Sequence, residues 1–174
     1  RTGVFKISFG VESGNNTILR EIKKGLDLDK VLEASRLARK YGMITIGFFM
    51  IGLPGDTEDT LQETINFAIK MNPHIADFMM TIPFYGTELY KRIEKEGKLL
   101  FDTEENLSYG FYGAKVYYEL DNLKADIILK YYYKAYRQFY FRFTKAIDIL
   151  CSLRSFGEFK WVVENGLNVL FPKK

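Results

Sequence analysis

The segment Met43 to Ile51 constrains the fold more than any other part of the chain, because it is almost continuously apolar. An apolar run of this length is typical of a strand that is buried on both faces of a parallel sheet. The loop from Gly52 to Thr57 follows it and leads into a helical pattern. The buried face of that helix is predicted to carry Leu61, Ile65, Ala68 and Ile69. These residues together predict a strand–loop–helix unit of an α/β fold.

Similar units lie on both sides of this segment. Apolar and polar residues alternate from Val4 to Val11, which predicts a strand that ends at the polar run Glu12 to Asn16. Asn16 or Thr17 is the expected cap of a short helix, and Asp27 is the expected cap of a second helix that stops at Gly42. Farther on, a strand is predicted over residues 77–82 and a helix over residues 89–96. We therefore predict three parallel βα units within residues 1–100, joined by right-handed crossovers.

The composition changes after residue 100, and we assign residues 101–174 to a loop followed by an α-helical extension. A short strand is expected near residues 115–118, one long helix from Asn122 to Leu150, and a last helix from Phe156 to Leu170. Aromatic residues between Tyr131 and Phe143 cover more than one helical face, so they cannot all enter a one-sided core. Packing against the sheet, a protein partner or self-association, and stacking on nucleic-acid bases are the three interpretations of these residues.

The overall composition favours a folded protein that does not span a membrane. Hydrophobic residues make up 47% of the chain and charged residues 27%, and the longest apolar run, Ile44 to Leu53, is too short for a transmembrane helix. No secretory leader is recognisable, so we expect a cytoplasmic protein. The net charge of +3 comes from scattered basic residues, which argues against general nucleic-acid binding. The sequence opens at Arg1, directly before a predicted core strand, and we expect it to be a truncated form of a longer protein.

Metal and redox chemistry are limited by a single cysteine, Cys151, and a single histidine, His74. One cysteine excludes an internal disulfide and an all-cysteine metal site, and an iron–sulfur cluster needs several thiolates. We predict a buried structural thiol for Cys151 and an exposed turn position for His74. No metal ligand and no catalytic residue are predicted in this chain.

Three segments, taken in order and spacing, resemble the fourth, fifth and sixth strand regions of radical S-adenosylmethionine (SAM) enzymes. They are Gly10 to Gly14, Gly47 to Thr57 and Pro83 to Leu89. The resemblance is closest to the subgroup with an N-terminal cobalamin-binding domain, which includes the anaerobic magnesium-protoporphyrin monomethyl ester cyclase-like Fe–S oxidoreductases. It covers residues 4–97, and the aromatic helix is similar, more loosely, to the C-terminal extension of that subgroup. The implied fold is the C-terminal half of a partial (β/α)6 barrel, made of strands four to six, followed by a helical extension.

The resemblance also implies a set of SAM-binding residues. Glu12, with Ser13 beside it, matches the position that hydrogen-bonds the SAM ribose, and a carboxylate suits two hydroxyl donors. Lys24 matches a basic residue that pairs with the SAM carboxylate. Backbone and apolar groups would face the adenine from Phe49, Ile51, Gly52 and Leu53, and Pro83 and Tyr85 would flank it. Phe48 stands where relatives often have a polar residue, which puts a polar adenosine contact there in doubt.

The family's Cys-x3-Cys-x2-Cys loop and its glycine-rich motif do not occur in this chain. The resemblance therefore implies a parent enzyme with SAM and a [4Fe–4S] cluster and, as in the cobalamin-binding subgroup, cobalamin. It also implies that this chain is inactive without the N-terminal half. A non-catalytic nucleoside-binding or assembly module is the alternative, and an unrelated phosphate-binding enzyme that uses the Gly52 loop is the third hypothesis. A half-barrel has open strand edges, so a homodimer through residues 4–11 or through the aromatic helix is also expected. The small-molecule substrate is not predicted.

Overall fold

The chain folds into alternating strands and helices followed by a helical region. The structure is a computed structural model that describes residues 3–101, 115–152, 157 and 160. Its elements are β1 (Lys6–Glu12), α1 (Asn16–Glu21), α2 (Leu28–Lys40), β2 (Ile44–Ile51), α3 (Glu58–Met71), β3 (Ile75–Met80), α4 (Glu88–Glu96), β4 (Gly97–Leu99), β5 (Tyr118–Leu120), α5 (Ala125–Tyr140) and α6 (Phe143–Ser152).

The main sheet has three parallel strands in the order β1-β2-β3. Lys6 lies opposite Ile44 at the start of the first pair, and Ile46 lies opposite Ile75 at the start of the second. Strands that neighbour one another in chain order are expected for a barrel segment, whereas a doubly wound sheet reverses direction at a switch point. The predicted α/β class, with three parallel βα units and a helical extension, is confirmed.

Helices cover one face of this sheet. Most side chains on that face are buried, among them Phe49 and Phe78, whose rings stack with centroids 5.4 Å apart. Helices α2, α3 and α5 contact the strands there, and Phe139 of α5 packs edge-on against Phe78. The opposite face, which we call the inner face, carries side chains that are exposed or half-buried: Ser8, Ile46, Phe48, Met50, Asp77 and Met79. The apolar core therefore lies between the sheet and the helices.

Helix α2 starts where the sequence predicted, whereas α1 starts one residue early and α5 begins at Ala125 rather than at Asn122. The Asp27 side chain caps α2 by accepting from the backbone N–H of Asp29, and Thr57 forms a reciprocal capping box with Thr60 at the start of α3. For α1 the cap is Asn15, one residue before the predicted positions, because its carboxamide oxygen reaches the N–H groups of both Thr17 and Ile18. Asn15, Asn16 and Thr17 are all favourable cap residues, so the sequence alone did not distinguish among them.

The prediction of one long helix from Asn122 to Leu150 is wrong, because α5 ends at Tyr140 and α6 begins at Phe143. At the break the guanidinium of Arg142 donates to the backbone oxygens of Phe139 and Ile69 and to the side chain of Asn72. These bonds tie the break to the end of α3. A two-stranded antiparallel sheet of β4 and β5 also forms, of which only a strand near residues 115–118 was predicted. The predicted helix over residues 156–170 lies outside the described residues, apart from single positions.

The loop after β1 is anchored on α3. The hydroxyl of Ser13 lies 3.2 Å from the hydroxyl of Thr64, and the Gly14 N–H donates to the same Thr64 oxygen at 3.0 Å. A Cβ atom on Gly14 would lie 2.6 Å from Cβ of Phe67 and 2.7 Å from the backbone of Thr64. Only glycine therefore permits this close approach.

The loop between β2 and α3 is organised by a buried carboxylate. Oδ2 of Asp56 accepts from the Leu53 N–H at 2.8 Å, and Oδ1 accepts from the Thr60 hydroxyl at 2.8 Å. Burial raises the pKa of Asp56 from 3.8 to about 6, although these hydrogen bonds act in the opposite direction. The carboxylate thus shapes the loop at an electrostatic cost.

Among the helices that the structure describes, none combines the length and the apolar character needed to cross a bilayer.

Gly14→Ala is predicted to destabilise the chain by about 1–3 kcal/mol, because the added methyl group meets backbone atoms of α3 that cannot move aside. Urea unfolding followed by circular dichroism measures the change. Gly25→Ala is the matched control, since an added Cβ there meets no atom within 4 Å. Equal stabilities of the two variants would contradict the packing of this loop on α3.

Asp56→Asn tests the buried carboxylate through pH. The folded-state pKa of Asp56 is raised, so its favourable contribution is complete below about pH 4 and is lost as the pH rises through about 6. The unfolding free energy of the natural chain should therefore fall relative to that of Asp56→Asn by up to about 3 kcal/mol between these pH values. Denaturant titrations at several pH values measure this difference, and a gap that stays constant or reverses sign is the result that contradicts the assignment.

Candidate functional site

The candidate site lies on the inner face, where the parallel strands end. The carboxyl ends of the three strands meet at one edge of the sheet, and ligand sites of parallel α/β folds form at this edge. Glu12 ends β1, the Gly52 loop follows β2, and the Pro83 loop follows β3. The three loops predicted from the sequence are therefore brought to the same edge.

Glu12 and Lys24 form an ion pair at this edge. Lys24 Nζ lies 2.9 Å from Glu12 Oε1, and both side chains keep partial access to solvent, 37% and 20% exposed respectively. The pair sits above Gly10, because a Cβ atom at that position would lie 3.1 Å from the Glu12 carboxylate and 3.4 Å from the Lys24 ammonium. The structure thus joins two of the residues that the sequence placed in one site.

Both partners of this ion pair depend on unusual backbone geometry. Glu12 has φ +68°, and Lys23, next to Lys24, has φ +57°. Both values lie in the left-handed region, which residues other than glycine rarely adopt. At Glu12 the chain is bulged against β2, and the buried neighbours Val11 and Ser13 fix it from both sides. Each such residue costs about 1 kcal/mol or more, and strain of this kind concentrates at functional sites.

The end of α1 positions Lys24. The Lys24 N–H donates to the Leu19 carbonyl and the Lys23 N–H donates to the Arg20 carbonyl, which is the pattern of a Schellman motif. Glycine is the usual residue at the left-handed position of this motif, which Lys23 occupies here. The turn therefore directs Lys24 back toward the end of β1, although it lacks the glycine that would favour this turn most.

Ser13 has a packing role in the structure. Its side chain is 1% exposed, and its hydroxyl interacts with Thr64 and accepts from the Asn15 N–H at 3.1 Å. A contact between this hydroxyl and a ligand stays a prediction, and it would require the loop to open.

The Gly52 loop is buried rather than open to a ligand. The Tyr118 hydroxyl donates to the Gly52 carbonyl, and Ile128 of α5 lies 3.3 Å from the position of a Cβ atom on Gly52. Leu53 is 4% exposed, and its N–H already donates to the Asp56 carboxylate. A phosphate would meet this buried acid, so the geometry argues against the phosphate-binding hypothesis.

Phe49 and Ile51 point away from the inner face. Both are fully buried in the core between sheet and helices, so neither side chain is open to a ligand, and the Ile51 carbonyl already accepts from the N–H and the hydroxyl of Thr81. Phe48 and Met50 are the residues of β2 that line the inner face toward the carboxyl end of the strand, and Asp77 lies beside Phe48 in β3. The sequence did not distinguish them because β2 is apolar on both faces; the two-residue alternation of strands is the signal that separates the two sets.

Aromatic side chains flank the loop after β3. Pro83 is buried, whereas Tyr85 is 41% exposed and its ring packs on Tyr90 with centroids 4.4 Å apart. Phe101 meets Tyr85 edge-on at 6.1 Å. Within the described part of the chain, no hydrogen bond or ring contact links Tyr85 to Glu12. The adenine role of Pro83 and Tyr85 stays a prediction.

The described residues offer polar recognition but no metal centre. A carboxylate and an ammonium lie beside an apolar surface, which suits a ligand that has hydroxyl groups, a charged end and a flat apolar part. In the part of the chain that the structure describes, no three His, Cys, Asp or Glu side chains come together as metal ligands. His74 is exposed as predicted and its Nδ1 lies 3.0 Å from the Thr45 hydroxyl, while the Cys151 side chain lies outside the described residues.

Comparison with known proteins identifies relatives of this arrangement. Residues 1–68 match the Radical SAM superfamily model. An uncharacterized methyltransferase of Pyrococcus horikoshii is 31% identical over 140 residues, which cover 80% of this chain and 30% of that protein. The cytidylyl-2-hydroxyethylphosphonate methyltransferase of Streptomyces wedmorensis is 32% identical over 61% of this chain and 21% of its own length. The anaerobic magnesium-protoporphyrin IX monomethyl ester cyclase of Rubrivivax gelatinosus is 27% identical over 60% of this chain and 19% of its own.

This chain thus spans less than a third of the length of each of these relatives. The segment that matches the superfamily model, residues 1–68, contains β1, β2 and the Glu12–Lys24 pair. With its three parallel βα units and these relatives, the chain belongs to the radical SAM superfamily.

Proposed function

We propose that this chain is the C-terminal part of a radical SAM Fe–S oxidoreductase and that it retains part of the SAM adenosine-binding surface. The chain by itself is then inactive, and catalysis belongs to the longer protein. The observation that carries this proposal is the Glu12–Lys24 ion pair, which is held above the inner face by two left-handed residues. Backbone strain beside a charged, partly exposed pair is a reason to look for a ligand there.

The chemistry of the pair fits the ends of a SAM molecule. Glu12 has two carboxylate oxygens, which accept hydrogen bonds from a ribose diol, and Lys24 provides a positive charge for the SAM carboxylate. Lys24 would exchange the Glu12 carboxylate, now at 2.9 Å, for the SAM carboxylate, and Glu12 would exchange the Lys24 ammonium for the neutral hydroxyl donors of the ribose. The half-buried side chains of Phe48 and Met50 offer an apolar surface beside them. Ser13 and the Gly52 loop, which are buried, and Tyr85, which is exposed, remain proposed contacts.

The iron–sulfur cluster does not fit the residues of this chain. A [4Fe–4S] cluster takes several cysteine thiolates, and the sequence contains one cysteine. We therefore assign the cluster to the N-terminal half of the longer protein and derive no catalytic step in this chain. Cobalamin is also proposed for the longer protein, because three loops of this chain resemble those of the cobalamin-type subgroup. SAM, bound by the longer protein, supplies the radical chemistry of the family.

The N-terminal half of the same protein is the proposed partner at the inner face and at β1. Ser8 and Gly10 are exposed on that face, and β1 has β2 as its single strand neighbour among the described strands. Strands one to three of the barrel would complete the sheet there and cover the inner face. The cytoplasmic location expected from the sequence belongs to the same proposal.

A nucleoside-binding or assembly module without catalysis is the second candidate. The single cysteine favours this candidate. A chain with one cysteine that functions by itself has too few thiolates to hold an iron–sulfur cluster. Both candidates use the Glu12–Lys24 pair, and they differ in whether a longer protein carries out SAM cleavage.

We predict that the isolated chain binds S-adenosylhomocysteine and that Glu12→Gln weakens this binding by about tenfold or more, because a charged acceptor of the ribose hydroxyls is lost. Isothermal titration calorimetry measures both affinities. Glu88→Gln is the matched control, since Glu88 forms a similar 2.8 Å pair with Lys23 but is largely exposed. Equal affinities of the two variants, or no binding by the unmodified chain, would count against the retained adenosine surface.

A second prediction concerns the cluster. After anaerobic incubation with iron and sulfide, the isolated chain should bind no [4Fe–4S] cluster and should release no 5′-deoxyadenosine from SAM, because it lacks the required thiolates. Visible absorbance and chromatography of the products measure the two outcomes. Loading of a cluster on this chain alone would refute the assignment of the cluster to another segment.

A further inference from the structure

An ion pair connects α1 with α4 at the carboxyl edge of the sheet. Glu21 is the last residue of α1, and its Oε1 lies 2.6 Å from Nη1 of Arg92 in α4. The two side chains are partly buried, with 34% and 37% of their surface exposed respectively. Because α1 follows β1 and α4 follows β3, this pair joins the helices of the two outer strands of the sheet.

Arg92 has a second carboxylate partner. Its Nε lies 3.0 Å from Oε2 of Glu96, which is one turn farther along α4. A guanidinium carries its donors on a rigid planar fork, so one arginine can bind both carboxylates in a fixed geometry. The bond to Glu21, followed by the bond to Glu96, raises the pKa of Arg92. The contact with Glu21 is therefore the larger influence on this guanidinium.

The other oxygen of Glu21 lies against the loop after β2. A Cβ atom on Gly55 would collide with Oε2 of Glu21 and would lie 3.3 Å from Cδ1 of Ile18, another residue of α1. Gly55 also has φ +85°, a conformation that suits glycine. α1 therefore rests on the Gly55 loop, and the Glu21 carboxylate is held between this loop and Arg92.

The turn that carries Lys24 begins where Glu21 ends α1. Lys24 lies three residues after Glu21, and its N–H closes the turn by donating to the Leu19 carbonyl at 2.8 Å. Lys23 occupies the left-handed position of this turn without being a glycine. Surrounding contacts must hold a strained residue of this kind in place. Contacts at Glu21 therefore help to set the direction of the Lys24 side chain.

A second ion pair links the same turn to α4, but it is more exposed. Nζ of Lys23 lies 2.8 Å from Oε2 of Glu88, and their side chains are 75% and 87% exposed. Water and salt screen such a pair, so it contributes little to the structure. The Glu21–Arg92 pair is less exposed and packs on the Gly55 loop, so it is the connection that we expect to hold the turn.

We propose that Arg92 is a positioning residue for the carboxylate end of SAM, because through Glu21 it holds the end of α1 in the conformation that directs Lys24 toward β1. The inference rests on the proposed function, in which Lys24 binds the SAM carboxylate. Glu12 has a different support, since the loop that follows it is anchored on α3 through Gly14. The amino acid end of the ligand thus depends on α4, whereas the ribose depends on α3.

Two ligands separate these supports in calorimetric titrations of the chain. S-adenosylhomocysteine has the amino acid end, and 5′-methylthioadenosine has the same nucleoside without it. Arg92→Gln should weaken the binding of S-adenosylhomocysteine by about three- to fivefold, the contribution of a partly exposed ion pair, and should leave that of 5′-methylthioadenosine unchanged. Glu21→Gln should have the same effect. The double variant should bind no more weakly than either single one, because both changes remove the same interaction.

Two substitutions serve as matched controls. Lys91→Gln removes a positive charge from the exposed side of the same helix, and Glu88→Gln removes the exposed pair with Lys23. Each of these variants should bind S-adenosylhomocysteine as the unmodified chain does. Equal weakening of both ligands by Arg92→Gln, or unchanged binding of S-adenosylhomocysteine, would overturn the positioning role.

Amide hydrogen exchange of the ligand-free chain gives a second measurement. The Lys24 N–H, which donates to Leu19, should exchange about threefold faster in Arg92→Gln because the turn opens more often, and Lys91→Gln should leave its exchange unchanged. Equal Lys24 exchange in the two variants would contradict the role of Arg92.

The outcomes also separate this inference from the proposed function. If the unmodified chain binds no S-adenosylhomocysteine, the proposed function fails and the positioning role fails with it. If Glu12→Gln weakens the binding and Arg92→Gln does not, the positioning role alone is rejected.

Discussion

The hydrogen bonds that hold the Ser13–Asn15 loop on α3 are the constraint on which the candidate site depends. Thr64 receives this loop through the Gly14 N–H and the Ser13 hydroxyl, and Gly14 lets the backbone approach the helix closely. With Val11 buried before it and Ser13 buried after it, Glu12 turns to the other side in a left-handed conformation and meets Lys24. Packing energy in the core thus maintains strain at the edge where the ligand is proposed to bind.

The helical extension completes the packing of the sheet rather than forming a separate layer. α5 contributes Phe139 to the core beside Phe78, Ile128 above the Gly52 loop, and two tyrosine hydroxyls to the edge of β3. The aromatic residues of this region therefore lie in the core, at the strand edge or, as Phe141 and Phe143 do, on the exposed surface. The expectation that they cannot all enter one core is confirmed, and packing against the sheet accounts for the buried ones.

Sequence patterns predicted the parts of the fold that depend on local chemistry. The apolar run of β2, the Asp27 cap and the stop at Gly42 are each encoded within a few residues. Features set by distant contacts were missed or misplaced. The break after Tyr140 depends on Arg142 reaching Asn72, and the burial of the Gly52 loop depends on Tyr118. Likewise, β2 is apolar on both faces, so only the fold shows that Phe48 and Met50, not Phe49 and Ile51, line the inner face.

An amide-resolved NMR titration of the isolated chain with S-adenosylhomocysteine tests the central claim most directly, because it locates the ligand as well as detecting it. An adenosine-binding surface at the end of β1 predicts saturable shifts at Gly10, Glu12 and Lys24, with weaker ones at Phe48, and no shifts in the exposed groove between α2 and α3 around Leu32 and Lys70. Saturable shifts confined to that groove, or no shifts at all, would contradict an adenosine-binding surface at the end of β1.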